Sequence, residues 1–137
     1  VPYGEEAGIY ENQTLRVHEY YRAVWSMSMS TQEDIIVVLS TVPEDKSAFL
    51  ARMLVDKRVV ACVNVIPVRS CYHWKGEFCD EEEHLLIAKT TKEKAREVIA
   101  TIKSNHPYEV PEIIALPVID GYLPYLEWVT QETLDEP

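Results

Sequence analysis

Two apolar-rich runs, Ala61 to Trp74 and Phe78 to Lys89, flank the dipeptide Lys75-Gly76, and this symmetry limits the possible folds more than any other feature of the chain. Val, Ile, Cys and aromatic residues dominate both runs, so they read as the arms of one long β-hairpin closed by a two-residue turn. Such a turn pairs Trp74 with Glu77, His73 with Phe78, Tyr72 with Cys79 and Cys71 with Asp80, because directly opposite residues share a face. A hairpin of this length overhangs a domain of roughly 100 residues. Its overhang carries Tyr72, Trp74 and Phe78, large apolar groups held away from their own core, as expected of a surface that meets a neighbouring subunit.

The segments around the hairpin supply the rest of a sheet. Ile35-Ile36-Val37-Val38-Leu39 is a β-branched run suited to a strand buried on both faces. Thr41-Val42-Pro43-Glu44 has the form of a capping box, predicting a helix to about Lys57 with Ser47, Leu50, Ala51, Leu54 and Arg58 on one face. A second such box, Thr90-Thr91-Lys92-Glu93, precedes Ala95, Val98, Ile99 and Ile102 at amphipathic spacing, and that helix is expected to stop before His106-Pro107. Glu112 to Val118 reads as a strand. After Gly121, a closing helix with Pro124 in its first turn places Tyr122, Tyr125, Leu126 and Val129 on one face. The expected class is α+β, a ferredoxin-like βαββαβ arrangement with a long central hairpin and an extra C-terminal helix. Two helices would cover one face of a four-stranded antiparallel sheet, leaving the other face in need of cover.

At 137 residues, with 47% hydrophobic and 9% aromatic content, one domain is expected. Residues 1–32 differ from the rest, with Tyr3, Tyr10, Tyr20, Tyr21 and Trp25 among polar residues and a Ser26-Met27-Ser28-Met29-Ser30 run. They read as an N-terminal arm, with room for a short helix over Leu15 to Trp25, ahead of a domain over 33–137. Val1 in place of Met points to the removal of something upstream, whereas Glu5, Glu6, Glu11 and Glu19 argue against an intact transit peptide. The expected location is cytoplasmic, or an organelle after removal of a targeting segment. A formal net charge of -10, from 23 acidic and 13 basic residues, disfavours nucleic acid and anionic membranes as partners. No stretch approaches the roughly 18 apolar residues of a spanning helix, so membrane insertion is not expected. Three cysteines, Cys62, Cys71 and Cys79, favour reduced thiols, while the sequon Asn12-Gln13-Thr14 would matter only in a secreted chain.

Catalysis is not expected. No Ser, Cys or Thr sits in a local nucleophile signature, and four glycines can write neither a P-loop nor a dinucleotide fingerprint. Cys71-x-His73 puts two metal ligands on one strand face, but a specific site needs three or four, and Cys79 falls on the opposite face. His84 follows Asp80 to Glu83, which reads as a solvated strand end. His106 differs, because beside Pro107, Tyr108 and Glu109 it can present an imidazole at the sheet edge, for a structural hydrogen bond or for a ligand.

Taken in order, Cys62-Val63-Asn64, Tyr72-His73-Trp74-Lys75-Gly76-Glu77, Lys89-Thr90-Thr91, His106 to Ile113, Leu116-Pro117-Val118 and Tyr125-Leu126-x-Trp128 form a pattern that resembles the CutA family of divalent-cation tolerance proteins, from Ile35 to about Leu134. The resemblance implies a PII-like, ferredoxin-like, non-catalytic homotrimer that associates through the hairpins and strand edges, with Tyr72, Trp74 and Phe78 at the interface. It implies copper or another divalent cation as bound ion. The copper-binding bacterial pattern, a Cys ending the first strand and two His before Pro-Tyr, meets Ser40 and Asn105-His106 here, so His106 alone is carried over as a metal residue. The likeness to PII proteins implies a second use, as a small-ligand sensor or a scaffold for anchoring and signalling, with Trp74, Lys89, His106, Tyr108 and Glu109 lining a cleft between subunits.

Overall fold

The structure is a computed structural model that describes residues 34–135. The segment expected to form an N-terminal arm, the short helix expected within it and the Asn12 sequon lie outside the described residues. The elements are β1 (Ile35–Val42), α1 (Glu44–Asp56), β2 (Cys62–Trp74), β3 (Glu77–Thr91), a 3-10 turn (Lys92–Lys94), α2 (Ala95–Ser104), β4 (Ile114–Pro117) and α3 (Leu123–Glu132). One antiparallel sheet has the order β2-β3-β1-β4. This is the expected mixed α+β, ferredoxin-like arrangement.

The hairpin has the register read from its turn. Trp74 opposes Glu77, His73 opposes Phe78, Tyr72 opposes Cys79 and Cys71 opposes Asp80. Lys75 and Gly76 both take positive φ, 50° and 81°, as a type I′ turn demands of its two central residues. Near the tip, Arg69 donates two hydrogen bonds to Asp80 across the strands. That ion pair holds the Asp80 carboxyl below its ordinary range.

Period-two alternation sorts the sheet into two unlike faces. On one, Ile36, Val38 and Ala88 pack against Leu54 of α1 and against Val98 and Ile102 of α2, with Val59 and Val60 closing the layer. On the other, Ile35 and Ala61 pack under Leu126 and Val129 of α3. That helix covers only one end of the face. Leu39 pairs with Ile87 and Ile114, and Val37 pairs with Leu116. Ile114 and Leu116 are 47% and 46% exposed, and Ile66, opposite Leu85, is also exposed. An apolar strip therefore continues across all four strands with none of the described helices over it.

Neither capping box forms. β1 continues through Thr41 and Val42, which pair with Leu85 and His84, and Pro43 occupies the helix N-cap position with no side-chain bond. β3 likewise continues through Thr91, while the Thr90 hydroxyl donates to the Val59 carbonyl at 2.6 Å. In both places strand pairing holds the threonines in extended backbone, and in the first helix the Lys46 N–H donates to the Pro43 carbonyl at 2.9 Å instead of to a side-chain cap. Arg58 lies beyond the end of α1 at φ 57°, off the face predicted for it. β4 is shorter than the expected Glu112 to Val118 strand, although the Val118 N–H still donates to the Ile35 carbonyl. In α3 the buried residues are Leu123, Leu126 and Val129, and Tyr122 is exposed.

A Cβ at Gly76 would meet nothing within 4 Å, so its replacement tests backbone conformation alone. Gly76→Ala is expected to lower stability by about 1 kcal/mol, the cost of a left-handed L-residue. Urea denaturation of wild type and variant measures this, and an unchanged midpoint would show that the turn tolerates another geometry.

Candidate functional site

The hairpin does not project freely, because the segment between α2 and β4 crosses beside it. That segment leaves the helix at Asn105, whose side-chain amide donates to the Thr101 carbonyl, and Pro107 and Pro111 keep it from continuing as helix while it bends at Tyr108 to Val110. Tyr108 reaches across and donates its hydroxyl to Glu83 at 2.8 Å. The second Glu83 oxygen accepts from the Ser70 hydroxyl at 2.8 Å. On the same strand face, Tyr72 donates to Glu81 at 2.8 Å. At the tip, Lys75 lies 3.6 Å from Glu109, an exposed pair of little energetic weight.

These residues enclose a cavity of about 710 Å³ lined by the hairpin residues Ser70, Cys71, Tyr72, Trp74, Glu81 and Glu83, by Thr41, and by Pro107, Tyr108, Glu109, Val110 and Glu112. A volume of this size is typical of small-molecule pockets. Of the predicted cleft residues, Trp74, Tyr108 and Glu109 meet here, and His106 stands behind them. Lys89 does not line it. Lys89 lies six residues past Glu83 on β3, about 20 Å away along the strand, opposite Val37 and Cys62. The predicted interface residues are all exposed but do not share a face: Tyr72 and Trp74 continue the uncovered sheet face, whereas Phe78 lies on the other, edge-on to His73.

His106 forms structural hydrogen bonds. Its Nδ1 accepts from the Tyr108 N–H at 3.1 Å, which leaves the proton on Nε2 to be donated to the Thr41 carbonyl at 2.8 Å. Both ring nitrogens are thus engaged with backbone groups. Ser40, the position that the resemblance set against a copper-ligating Cys, is fully buried on the helix-covered face, and its hydroxyl lacks a hydrogen-bond partner among the described residues. Asn105 is tied to its own helix. A hydroxyl, an amide and an imidazole with no free lone pair do not make a soft-ligand set for copper. Among the described residues, no group of three or more His, Cys, Asp or Glu could hold a metal ion.

Two strand-end assignments change. Glu83 is not part of a solvated acidic run but is 4% exposed, and His84 is half-buried with Nδ1 2.8 Å from the Ser47 hydroxyl. Glu81, Glu83 and Ser70 were not singled out from sequence. The hairpin register, continued seven residues beyond the turn, places all three on the face of Tyr72 and Trp74; nothing in the sequence shows that Tyr108 closes over them. Burial, followed by the bond to Glu83, pushes the Tyr108 phenol well above its usual value, and the bond to Glu81 raises that of Tyr72 to about 12.

The family model described as CutA1 divalent ion tolerance protein matches residues 36–132. The chain belongs to that family. The divalent-cation tolerance protein CutA of Thermus thermophilus is 43% identical over 71% of this chain and 96% of its own length. The rice protein CutA 1, chloroplastic, is 41% identical over 77% of this chain, which spans 61% of the rice protein. In shape, the PII-like protein CutA from Nostoc sp. PCC 7120 matches with a TM-score of 0.70 and 36% identity, covering 72% of this chain and 97% of that one. The family description is of a tolerance protein and names no enzyme class. No described helix is long and apolar enough to cross a membrane.

A raised phenol pKa means that the folded state favours the protonated hydroxyl. The stabilisation is therefore complete below the ordinary tyrosine value of about 10 and is lost as pH rises through the folded values. Wild type is expected to lose thermal stability above pH ~10 more steeply than the Tyr72→Phe, Tyr108→Phe double variant. Melting curves across alkaline pH check this, and parallel slopes would remove both hydroxyls from the linkage.

Proposed function

We propose that this chain works as a PII-like homotrimer that takes a small ligand in the cavity between its hairpin and residues 105–112. The observation that carries the proposal is the uncovered apolar strip across all four strands, continuous with Tyr72 and Trp74 and with the cavity mouth. Within one chain the described residues leave that strip to water, and three copies can cover one another's. Phe78 would then meet a neighbour from the second face of the overhang. Lys89, remote from the cavity within one chain, would join a cleft only across a subunit boundary. The overhanging hairpin is the natural arm for a signalling or scaffolding contact.

Sedimentation equilibrium is expected to give about three times the 15.8 kDa chain mass. Ile114→Glu with Leu116→Glu, which puts charge into the strip, should shift that mass toward the monomer. A monomeric wild type at micromolar concentration would overturn the assembly proposal.

A divalent-cation role is the second reading, favoured by the family description. His106 is its one carried-over residue, and binding there would require the ring to give up a backbone hydrogen bond. Calorimetric titration of copper and zinc in reducing, chelator-free buffer is expected to show no binding that His106→Ala removes. Micromolar binding lost in that variant would restore the metal reading.

A further inference from the structure

We propose that the ligand of this cavity is a small organic cation, an ammonium group carried on an apolar body; this builds on the small-ligand proposal above and specifies its chemistry. Among the described residues four glutamates line the cavity, Glu81, Glu83, Glu109 and Glu112, and no Lys, Arg or His does. Three aromatic rings, those of Tyr72, Trp74 and Tyr108, form the rest of its chemical character. Phosphate-bearing or carboxylate ligands would meet like charge throughout.

Glu83 points to the same class independently of the count. It is 4% exposed, and both of its oxygens are held by neutral hydroxyls, those of Ser70 and Tyr108. Among the described residues it has no salt bridge. A buried carboxylate without a counter-charge is unfavourable, and neutral donors offset only part of that. A carboxylate can accept about four hydrogen bonds, so two hydroxyls leave acceptor capacity facing the cavity. An ammonium group supplies three donors and the missing charge together.

The rim already displays this pairing. The Lys75 ammonium lies 5.7 Å from the centroid of the Trp74 ring and 3.6 Å from Glu109, held between an aromatic group and a carboxylate. Aromatic faces attract cations of this kind. A bare divalent ion suits the site less well, since a cavity of about 710 Å³ is far larger than the ion and no three ligating groups converge in the described residues.

The test is calorimetric titration of the full chain with phenethylammonium, and with phenethyl alcohol as its uncharged counterpart, with AMP and magnesium chloride in parallel. Wild type is expected to bind one phenethylammonium per chain, to ignore the alcohol and to bind it at least tenfold more weakly in Glu83→Gln. Because Glu83 is buried, the exposed Glu81→Gln serves as a second variant, with weakening of several-fold expected and its fold checked by circular dichroism. Absence of saturable phenethylammonium binding overturns the inference. So does equal binding of the alcohol, affinity unchanged in both variants, or saturation by AMP or magnesium alone. Sedimentation of the same samples separates the two proposals: a trimer that ignores phenethylammonium overturns this inference alone, whereas a monomer that binds it through Glu83 supports this inference and overturns the assembly.

Discussion

The ladder between β2 and β3 runs in unbroken register from the Cys62–Lys89 pair to the Trp74–Glu77 pair, and the cavity depends on it. A slip of one residue would turn Ser70, Tyr72 and Trp74 to the opposite face, away from Glu81 and Glu83. The register is held at the turn, where two consecutive positive-φ residues form a type I′ geometry whose twist matches the strands. It is held again by the Arg69–Asp80 ion pair across the strands.

From that ladder follows the division of labour between faces. The face carrying Ile36, Val38 and Val42 is covered by α1 and α2 and contains the main apolar core. The alternate residues, Val37, Leu39 and Thr41, belong to a face that α3 covers only near Ile35. Thr41 links the two functions. Its side of the sheet lines the cavity, while its carbonyl accepts from His106, anchoring the segment that brings Tyr108 to Glu83. His106 thus acts on the cavity by fixing the backbone that carries Tyr108, and the ring contact between His106 and Tyr108 at 4.7 Å is part of that anchor.

Membership of the divalent ion tolerance family and the positions of the soft ligands pull apart in this chain. Ser40 and Asn105 put a hydroxyl and an amide at the positions that the resemblance set against soft ligands, and the one remaining imidazole is engaged at both nitrogens. What remains chemically rich is the acidic, aromatic cavity, where hydroxyl donors arrange the carboxylates of Glu81 and Glu83.

Local rules made much of this legible from the residues alone. The turn at Lys75-Gly76, the two-residue period of the strands and the three-to-four-residue spacing of Leu50, Leu54, Val98 and Ile102 are properties of neighbouring residues, and they determined the element order, the hairpin register and the buried helix faces. The same local rules failed at Thr41 and Thr90, where a capping box in sequence is overruled by strand pairing with residues far along the chain. Tertiary structure alone decided the meeting of Tyr108 with Glu83, 25 residues apart, and of His106 with Thr41, 65 residues apart. Neither contact has a periodic signature, and whether a glutamate is solvated or buried, or an imidazole lone pair is free or occupied, is set by what packs against it and not by its neighbours in sequence.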